Sequence, residues 1–402
     1  MGLKNGWKNL PLKEVCTVFA DGDWIETKDQ SPSGIRLIQT GNVGAGLFKN
    51  REGKARFISE QTFRRLKCTE ILPGDCLVSR LPDPVGRACL LPNIGERMIT
   101  AVDCTIVRPK NNILLPKFLN YYACSSKYLS EVEKKCTGAT RKRISRKNLG
   151  LVPIPIPPLP EQKRIVGILD KAFAEIDRSI ANSQSSLTQI SKLIASVLER
   201  EFQKALQFGS SPVGELADHC LGKMLDRRKN QGTPKMYLRN INVRWFEFDL
   251  SDLLEMRFKD DEFDRYSAKK GDVLVCEGGY PGRCAIWTSD EPIYFQKALH
   301  RVRFHNPLHA KWFMYFMFYC DQAGLLRRKF TGAGIQHFTG KALKVFEVPI
   351  IADDQMKRSL SLIEELFTES SRLIESHGRK IQTHNELKQA FMEEHFSKGA
   401  ES

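Results

Sequence analysis

The chain has 402 residues, a formal net charge of +15 and 41% hydrophobic residues. A chain of this length can bury more than one core, and so large a positive charge indicates an anionic partner. No apolar run approaches the ~20 residues of a membrane-spanning helix, and the opening MGLKNG is neither a signal peptide nor a myristoylation motif. We therefore expect a cytoplasmic chain that binds DNA or RNA and no membrane.

Residues 1–158 predict a domain of mixed strands and helices. Short apolar runs at 76–78, 88–91 and 104–107 are separated by Gly, Pro and Asp, which is the pattern of strands joined by turns. A short helix is predicted at 115–128. The fold class that follows is α+β.

A proline-rich segment, here called the first strap, connects this domain to a long helix. Four prolines between residues 153 and 158 lack a backbone N–H and suit only a sheet edge, and Pro160 suits the first turn of a helix. After Gly167 no Gly or Pro follows until Gly209, so the helix reaches ~40 residues, or about 60 Å. The alternative for such a helix is the core of one large domain.

Apolar residues recur along this helix in steps of three and four, close to a coiled-coil spacing. A helix of this length cannot bury its apolar stripe alone, so we expect it to pair with another helix. The predicted pairing positions are Ile165, Leu169, Ile176, Leu187, Ile190, Ile194 and Val197.

The same order of elements returns after a linker at residues 208–212. Strands are predicted at 273–276 and 301–304, a helix at 310–319, and a second strap at 347–355 that has one proline where the first has five. Asp353 and Asp354 are typical residues for the start of the second long helix. Its predicted pairing positions are Ile363, Phe367, Ile374 and Ile381.

Matches that recur in the same order indicate that the chain contains two copies of one unit. Pro11 recurs as Pro212 at an offset of 201, and the offset then falls gradually to 193. The other matches are Asn42 with Asn242, Gly74-Asp with Gly271-Asp, Gly86-Arg with Gly282-Arg, Thr137-Gly-Ala with Thr331-Gly-Ala, Val152-Pro-Ile with Val348-Pro-Ile, and Gln162 with Gln355.

Basic residues cluster near the end of each globular copy. Residues 127–147 contain eight Lys or Arg against two Glu, and Arg327-Arg-Lys329 lies shortly before the second Thr-Gly-Ala sequence. A single charge run is usually a solvated surface. Recurrence at equivalent places in a chain of this net charge instead favours contact with nucleic-acid phosphates.

The sequence carries no recognisable catalytic or metal-binding motif. Its eleven cysteines form no C-x-x-C pair and no Cys/His cluster, which argues against a zinc site or a redox dithiol. The histidines have no nucleophile or orienting carboxylate nearby in sequence. The residues therefore offer no candidate catalytic site and no cofactor or metal site.

The duplicated globular regions, the long helices and the strap VPIPIPPLPEQKRIV at 152–166 resemble the specificity subunit of type I restriction-modification systems. The Gly-Asp-x-Leu turns at 74 and 271 and the Thr-Gly-Ala loops share in this resemblance, which covers essentially the whole chain. It implies two similar target-recognition domains, at 1–158 and 209–351. They alternate with spacer helices, at 159–208 and 352–402, that pair as an antiparallel coiled coil in a pseudo-twofold repeat.

The resemblance also implies a function. In this family each target-recognition domain reads one half of a bipartite double-stranded DNA sequence. The helices dock two methyltransferase subunits, and restriction and motor subunits join them. S-adenosylmethionine, ATP and Mg²⁺ are then expected on those partners, and this subunit has no catalytic activity of its own.

Candidate DNA contacts follow from side-chain chemistry, and the divergence of the two copies predicts different half-sites. Basic side chains suit phosphates, whereas Arg, Asn and Gln suit base edges in the major groove. The phosphate candidates are Arg141, Lys142, Arg143, Arg146, Lys147, Arg327, Arg328 and Lys329. The base-reading candidates are Asn42, Arg80, Arg87, Arg239, Asn240, Arg283 and Gln336.

Two alternatives remain. One is the specificity chain of a related type II system. The other is a non-specific nucleic-acid-binding or coiled-coil scaffold protein, which binds all duplexes alike and loses that binding smoothly with salt.

Overall fold

The computed structural model describes residues 6–138, 141–226, 228–332, 334 and 336–397. It divides into two compact units: unit 1 is Met1–Ser183 with Gly378–Ser402, and unit 2 is Gln184–His377. Each unit contains one globular part and about half of each long helix. Ala139 and Ala333 of the predicted Thr-Gly-Ala loops, and the opening residues 1–5, lie outside the described residues.

Unit 1 mixes short strands with helices. Its strands are β1 (Lys8–Pro11), β2 (Cys16–Asp21), β3 (Gln30–Ser31), β4 (Ile35–Ile38), β5 (Phe57–Ile58), β6 (Cys76–Ser79), β7 (Ala88–Leu90), β8 (Met98–Thr100), β9 (Cys104–Pro109) and β10 (Pro153–Ile156). Its helices are α1 (Glu60–Leu66), α2 (Pro116–Tyr122), α3 (Ser126–Glu133), α4 (Arg146–Gly150) and the first half of α5 (Leu159–Leu206).

Two four-stranded sheets pack together in unit 1, with the strand orders β2-β9-β6-β7 and β3-β5-β4-β8. Successive residues of a strand point to opposite faces. Leu77 therefore joins Ile38 between the two sheets, whereas Cys76 and Val78 pack on the other face with Phe118 of α2. Strand β6 is buried on both faces, which explains why its sequence is continuously apolar.

The predicted strands are confirmed as β6, β7 and β9, and one helix prediction is wrong. The segment 115–128 forms two helices, α2 and the start of α3, because Ser125 ends the first and caps the second. Its Oγ accepts a hydrogen bond from the backbone N–H of Tyr128 at 3.2 Å.

Unit 2 repeats this architecture. Its strands are β11 (Ser210–Pro212), β12 (Ala217–Leu221), β13 (Thr233–Leu238), β14 (Leu254–Phe258), β15 (Ser267–Ala268), β16 (Val273–Cys276), β17 (Cys284–Ile286), β18 (Ile293–Phe295), β19 (Leu299–Phe304) and β20 (Glu347–Pro349). Its helices are α6 (Val213–Leu216), α7 (Phe263–Tyr266), α8 (Pro307–Gln322), α9 (Gly340–Lys344) and the first half of α10 (Asp353–Ser397).

The order β12-β19-β16-β17 of unit 2 corresponds to β2-β9-β6-β7 of unit 1, and β14-β13-β18 corresponds to β5-β4-β8, so the predicted duplication is confirmed. Strand β15 corresponds in unit 1 to a single bridge between Ile71 and Met98. The two straps pair in the same way: β10 is antiparallel to β1 in unit 1, and β20 is antiparallel to β11 in unit 2. The short strand β3, which pairs with β5, has no counterpart in the sheets of unit 2 as far as they are described. The first strap pairs only with β1 in a two-stranded sheet, so its prolines need not donate to a second neighbouring strand.

Backbone hydrogen bonds correct the register of the second strap. Pro11 pairs with Pro153 in unit 1, and Pro212 pairs with Glu347 in unit 2. Pro153 therefore corresponds to Glu347, and the predicted match of Val152-Pro-Ile with Val348-Pro-Ile is wrong by two residues. The shared Pro-Ile sequence misled the comparison, because strand pairing with the preceding segment sets the register.

The predicted match of Gln162 with Gln355 is also wrong. The backbone N–H groups of Gln162 and Met356 donate to the carbonyl four residues earlier, at the first turn of each long helix. Both side chains are fully buried, whereas Gln355 is exposed. The Gln162 amide satisfies three backbone groups of unit 1, including the N–H of Leu115, and an apolar side chain fills the corresponding place in unit 2.

The two long helices run antiparallel within each unit. In unit 1, Asp177 of α5 forms an ion pair with Lys388 of α10. In unit 2, Ser359 of α10 donates to the carboxylate of Glu201 at 2.8 Å. The predicted pairing residues are buried or partly buried, except that Ile374 is 44% exposed.

One aromatic residue near the end of each long helix completes the core of a globular part. Phe396 of α10 packs against Phe118 of α2 with ring centroids 5.4 Å apart. Phe202 of α5 packs against Trp312 of α8 with centroids 4.7 Å apart. Because both pairs are related by the same offset of 194, the duplication extends to the helix ends.

Asp272→Asn is expected to lower the free energy of unfolding by about 2–4 kcal/mol. Asp272 is 2% exposed, and its carboxylate accepts from Arg303 Nε at 2.7 Å and from the backbone N–H of Lys269 at 2.7 Å. An asparagine leaves the guanidinium without its counter-charge. Urea unfolding measures the loss, and Asp290→Asn, at an exposed ion pair, is the control with a change below ~0.5 kcal/mol.

Candidate nucleic-acid interface

Three loops of unit 1 meet at one end of the sheet β2-β9-β6-β7. The N–H of Ile144, which follows the Thr-Gly-Ala loop, donates to the carbonyl of Arg80 at 3.2 Å, directly after β6. Arg87 donates from Nη2 to the carbonyl of Thr40 at 3.0 Å and from Nε to that of Val43 at 2.8 Å. The Gly-Arg and Thr-Gly-Ala sequences therefore build a single loop junction.

Unit 2 builds the same junction from the matching residues. The N–H of Phe338 donates to the carbonyl of Glu277 at 2.7 Å, and Arg283 Nη2 donates to the carbonyl of Asn240 at 3.1 Å. His300 supports this junction, because its Nε2 lies 3.0 Å from the Phe338 carbonyl. Burial lowers the pKa of His300, which favours the neutral ring.

The two ends of each Thr-Gly-Ala loop are paired with each other. Thr137 and Arg143 exchange backbone hydrogen bonds of 2.8 and 2.9 Å, and Thr331 and His337 exchange two of 2.9 Å. The paired ends of the two loops are related by an offset of 194, and their second members, Arg143 and His337, differ.

The basic residues of unit 1 are exposed on and beside this loop. Lys142 pairs with Glu133, Arg143 approaches Asp103 at 4.0 Å, and Arg146 approaches Asp21 at 3.6 Å. Arg141 and Lys147 are exposed and have no ion partner among the described residues. Exposed ion pairs of this kind are weak, so all five side chains are accessible to an anion.

In unit 2 the basic cluster Arg327, Arg328 and Lys329 occupies a 3-10 helix, Leu326–Lys329, just before the loop. All three side chains are exposed and have no ion partner within the described part of the chain. At the offset of 194 that relates the two loops, residues 133–135 of unit 1 correspond to this cluster. Two of these three residues are Lys134 and Lys135, so the basic patches recur at equivalent places of the two units, as the sequence predicts.

The candidate base-reading residues of unit 1 are engaged with their own chain. Asn42 is buried, and its Oδ1 accepts from the N–H of Gln39 at 2.9 Å. Arg80 is buried, donates to the carbonyl of Val102 at 2.6 Å and lies 3.4 Å from Asp21. Arg87 donates to backbone carbonyls of two loops, and burial lowers the pKa of its guanidinium. These contacts fix the shape of the loops.

Most candidates of unit 2 have the same kind of contact. Arg239 pairs with Asp252 at 2.7 Å, Asn240 donates to the carbonyl of Gly278 at 3.1 Å, and the Arg283 guanidinium lies 5.0 Å from the Tyr280 ring centroid. Gln336 is exposed in its loop. Base reading by these residues stays a prediction.

The sequence analysis missed the role of Asn242. Its Oδ1 accepts from the N–H of Arg239 at 2.9 Å, and its Nδ2 donates to the carbonyls of Asp249 and Asp252. Asn42 makes the corresponding bonds in unit 1. The repeat of the two asparagines at an offset of 200 was the available signal.

Comparison with known proteins finds a similarity that covers the first globular part. Residues 4–188 match the type I restriction modification DNA specificity domain. Over this segment the chain is similar to type I specificity subunits. This match covers the globular part of unit 1, and the family fold recurs in unit 2.

Curated members of the type I specificity-subunit family give matches at low identity. The chain is 24% identical over 302 residues to the EcoKI specificity subunit of Escherichia coli K12, and 23% identical over 294 residues to the StySPI subunit of Salmonella potsdam. Each match covers 68% of this chain and spans only 61% of the relative's length.

Solved structures of the family have the same fold. A chain of a type I R-M system assembly matches with a TM-score of 0.76 and 15% identity, covering 98% of this chain and 99% of that one. The HsdS subunit of Thermoanaerobacter tengcongensis matches with a TM-score of 0.54 and 16% identity, covering 98% of each chain.

The described residues contain no group of His, Cys, Asp and Glu arranged to hold a metal ion. Among the same residues, no helix combines the length and apolarity needed to cross a membrane.

Proposed function

We propose that the chain is the DNA-recognition subunit of a type I restriction-modification complex and that each globular part reads one half of a bipartite double-stranded DNA target. The observation that carries this proposal is the repeated loop junction. In both units it presents accessible basic side chains beside a loop whose ends are hydrogen-bonded, an arrangement suited to phosphate contacts that position a reading loop.

The two half-sites differ in sequence under this proposal. Arg143 of unit 1 and His337 of unit 2 occupy corresponding loop positions, where their backbones make the same pair of hydrogen bonds. Substituting side chains of different charge on one backbone frame changes which base edges and phosphates are accepted. The target is therefore asymmetric.

The chain supplies recognition, and its partners supply the chemistry. Two methyltransferase subunits dock on the long helices and use S-adenosylmethionine, and restriction and motor subunits join through them with ATP and Mg²⁺. This chain is not an enzyme and needs no cofactor of its own. Because its target under this proposal is DNA within the cell, it acts in the cytoplasm.

A genome-wide map of N6-methyladenine tests the proposal. Cells express the chain with and without its neighbouring methyltransferase, and single-molecule sequencing records the methylated motifs. A bipartite, asymmetric motif that requires both proteins supports the proposal. Co-purifying subunits distinguish a type I from a type II assembly. The scaffold alternative gains first place if the two proteins associate but no motif depends on this chain.

Inserting four residues, about one helical turn, between Leu187 and Val197 is expected to lengthen the non-specific spacer of the methylated motif and leave both half-sites unchanged. The reason is that α5 is continuous from Leu159 to Leu206 and connects the two globular parts. The methylation map of the insertion variant measures the spacer. An unchanged spacer in a folded variant contradicts the expectation.

A further inference from the structure

An apolar groove of about 750 Å³ lies in unit 1 between the loop at residues 45–47, helix α2 and the two long helices. Tyr121, Cys124 and Phe173 contribute to its lining. At its mouth Leu47 is 65% exposed. An exposed apolar side chain beside an apolar groove is typical of a protein contact surface.

The charged side chains around the groove are already paired within the chain. Lys117 forms an ion pair with Asp170 at 2.7 Å, and Lys388 forms one with Asp177. These pairs neutralise the rim. The groove is therefore suited to a neutral group rather than to a charged one.

Unit 2 fills the corresponding space with its own aromatic side chain. The ring of Phe246 lies 5.3 Å from that of Tyr315, 4.9 Å from that of Phe318 and 5.1 Å from that of Phe367. These positions correspond to Gly46, Tyr121, Cys124 and Phe173 of unit 1. In unit 1 a glycine and a cysteine leave the space open.

Backbone geometry supports this correspondence. The N–H of Gly46 donates to the carbonyl of Ala88 at 2.8 Å, and the N–H of Phe246 donates to that of Cys284 at 3.3 Å. Gly46 has φ +76° and Phe246 has φ +71°. A phenylalanine is strained in this left-handed region, so the aromatic contacts of Phe246 must repay the strain.

A buried acceptor in the groove of unit 1 lacks a donor. Asn120 lines the groove, is 6% exposed and donates from Nδ2 to the carbonyl of Gly46 at 3.1 Å. Its Oδ1 has no hydrogen-bond partner among the described residues. Leaving a buried acceptor unsatisfied is unfavourable. The corresponding residue of unit 2 is the apolar Met314, beside the apolar ring that fills that groove.

We propose that this groove receives a tryptophan or tyrosine side chain of a protein partner, whose N–H or O–H group donates to Oδ1 of Asn120. The filled groove of unit 2 identifies an aromatic ring as the occupant, the neutral rim excludes a charged one, and the unpaired Oδ1 requires a donor. The proposal goes beyond DNA recognition and rests on the proposed function only for the partner used in the crosslinking test below.

Titration with N-acetyltryptophanamide, followed by NMR of the full chain, tests the ring specificity. We expect saturable binding at one site and roughly tenfold weaker binding of the 1-methyl analogue, which lacks the indole N–H. No saturable binding overturns the proposal, and equal binding of the two compounds overturns the role of Asn120.

Single substitutions that introduce the residue of one unit at the corresponding position of the other test where the ring binds. Cys124→Phe, which introduces the residue of unit 2, is expected to abolish binding. Asn120→Met is expected to remove the preference for the N–H donor and stays informative if Cys124→Phe does not fold. Phe246→Gly is expected to open a second site that accepts both compounds alike. Wild-type affinity in folded Cys124→Phe overturns the proposal.

Photocrosslinking tests the protein partner. A benzophenone amino acid replaces Leu47 in cells that also express the neighbouring methyltransferase, and the matched control replaces Glu247 beside the filled groove. We expect an adduct from position 47 alone, mapped to a methyltransferase peptide that contains Trp or Tyr and lost in Cys124→Phe. Binding of the free amide without any such adduct overturns the partner assignment.

The two proposals fail in different ways. A chain that directs a bipartite methylation motif but gives no adduct and no amide binding keeps its proposed function and loses the groove. Absence of both the motif and a co-purifying methyltransferase removes the proposed function, and the amide titration still decides whether the groove binds an aromatic ring.

Discussion

Phe202→Ala is expected to destabilise unit 2 by about 3–5 kcal/mol and to leave unit 1 nearly unchanged, although Phe202 lies on the helix that begins in unit 1. Its side chain is fully buried, and its ring packs against Trp312 at 4.7 Å and Phe316 at 5.1 Å. Truncation leaves a cavity among aromatic rings that cannot easily collapse, so the lost contacts are not replaced.

Phe396→Ala is the matched variant, with the opposite expectation. Phe396 is 1% exposed and packs against Phe118 and Tyr122 of unit 1. Hydrogen exchange measured by mass spectrometry separates the two cases, because each variant should lose protection mainly in one unit. Leu193→Ala, at a position 53% exposed on α5, is the control and should change little. Equal loss of protection in both units in either variant contradicts the expectation.

This pair of variants tests how the duplicated chain is held together. Each globular part receives the start of the long helix that follows it and the end of the other one. If Phe202→Ala lowers protection only in unit 2, the last turns of α5 fold together with unit 2. Unfolding of one unit then affects the other only through the backbone hydrogen bonds of the two long helices.

Replacing Arg327, Arg328 and Lys329 together with alanine is expected to weaken binding to duplex DNA by roughly 10²–10³-fold at 0.1 M salt. Each phosphate contact contributes about 0.9 to the slope of log affinity against log salt concentration, so the slope should fall by up to about 2.7. The three side chains are exposed, and none has an ion partner in the described part of unit 2.

Fluorescence anisotropy over a series of salt concentrations measures both quantities with the purified chain. The control removes the same number of positive charges from exposed positions on the long helices within unit 2, which are Lys192, Lys204 and Lys357. The control should change the slope little. If both variants reduce affinity equally, net charge alone accounts for binding and the cluster is not a phosphate site.

Sequence discrimination distinguishes base contacts from the phosphate contacts of this cluster. The phosphate term is independent of base sequence, so the triple variant should weaken binding to target and non-target duplexes alike. A change confined to the target sequence would instead place these side chains at base edges.

Sequence alone determined the elements whose signals are local. The prolines of the first strap fix φ and remove N–H donors, which places an extended edge at Pro153–Ile156 before a helix. The steps of three and four with no helix breaker after the first turns predicted a helix that spans Leu159–Leu206. Order and offset of short matches predicted the duplication, and the clustering of basic residues marked the loops that the structure leaves accessible.

Tertiary structure alone decided the features that depend on distant contacts. The register of the second strap follows from pairing with β11, more than a hundred residues away, and overrides a matching Pro-Ile sequence. Arg87 has the chemistry of a base reader, but the approach of a loop distant in sequence commits it to the backbone carbonyls of Thr40 and Val43. The groove beside Asn120 exists because Gly46 and Cys124 stand where unit 2 places Phe246 and Phe318. Residue type and spacing record what a segment favours by itself, whereas these outcomes depend on which surfaces meet after the chain has folded.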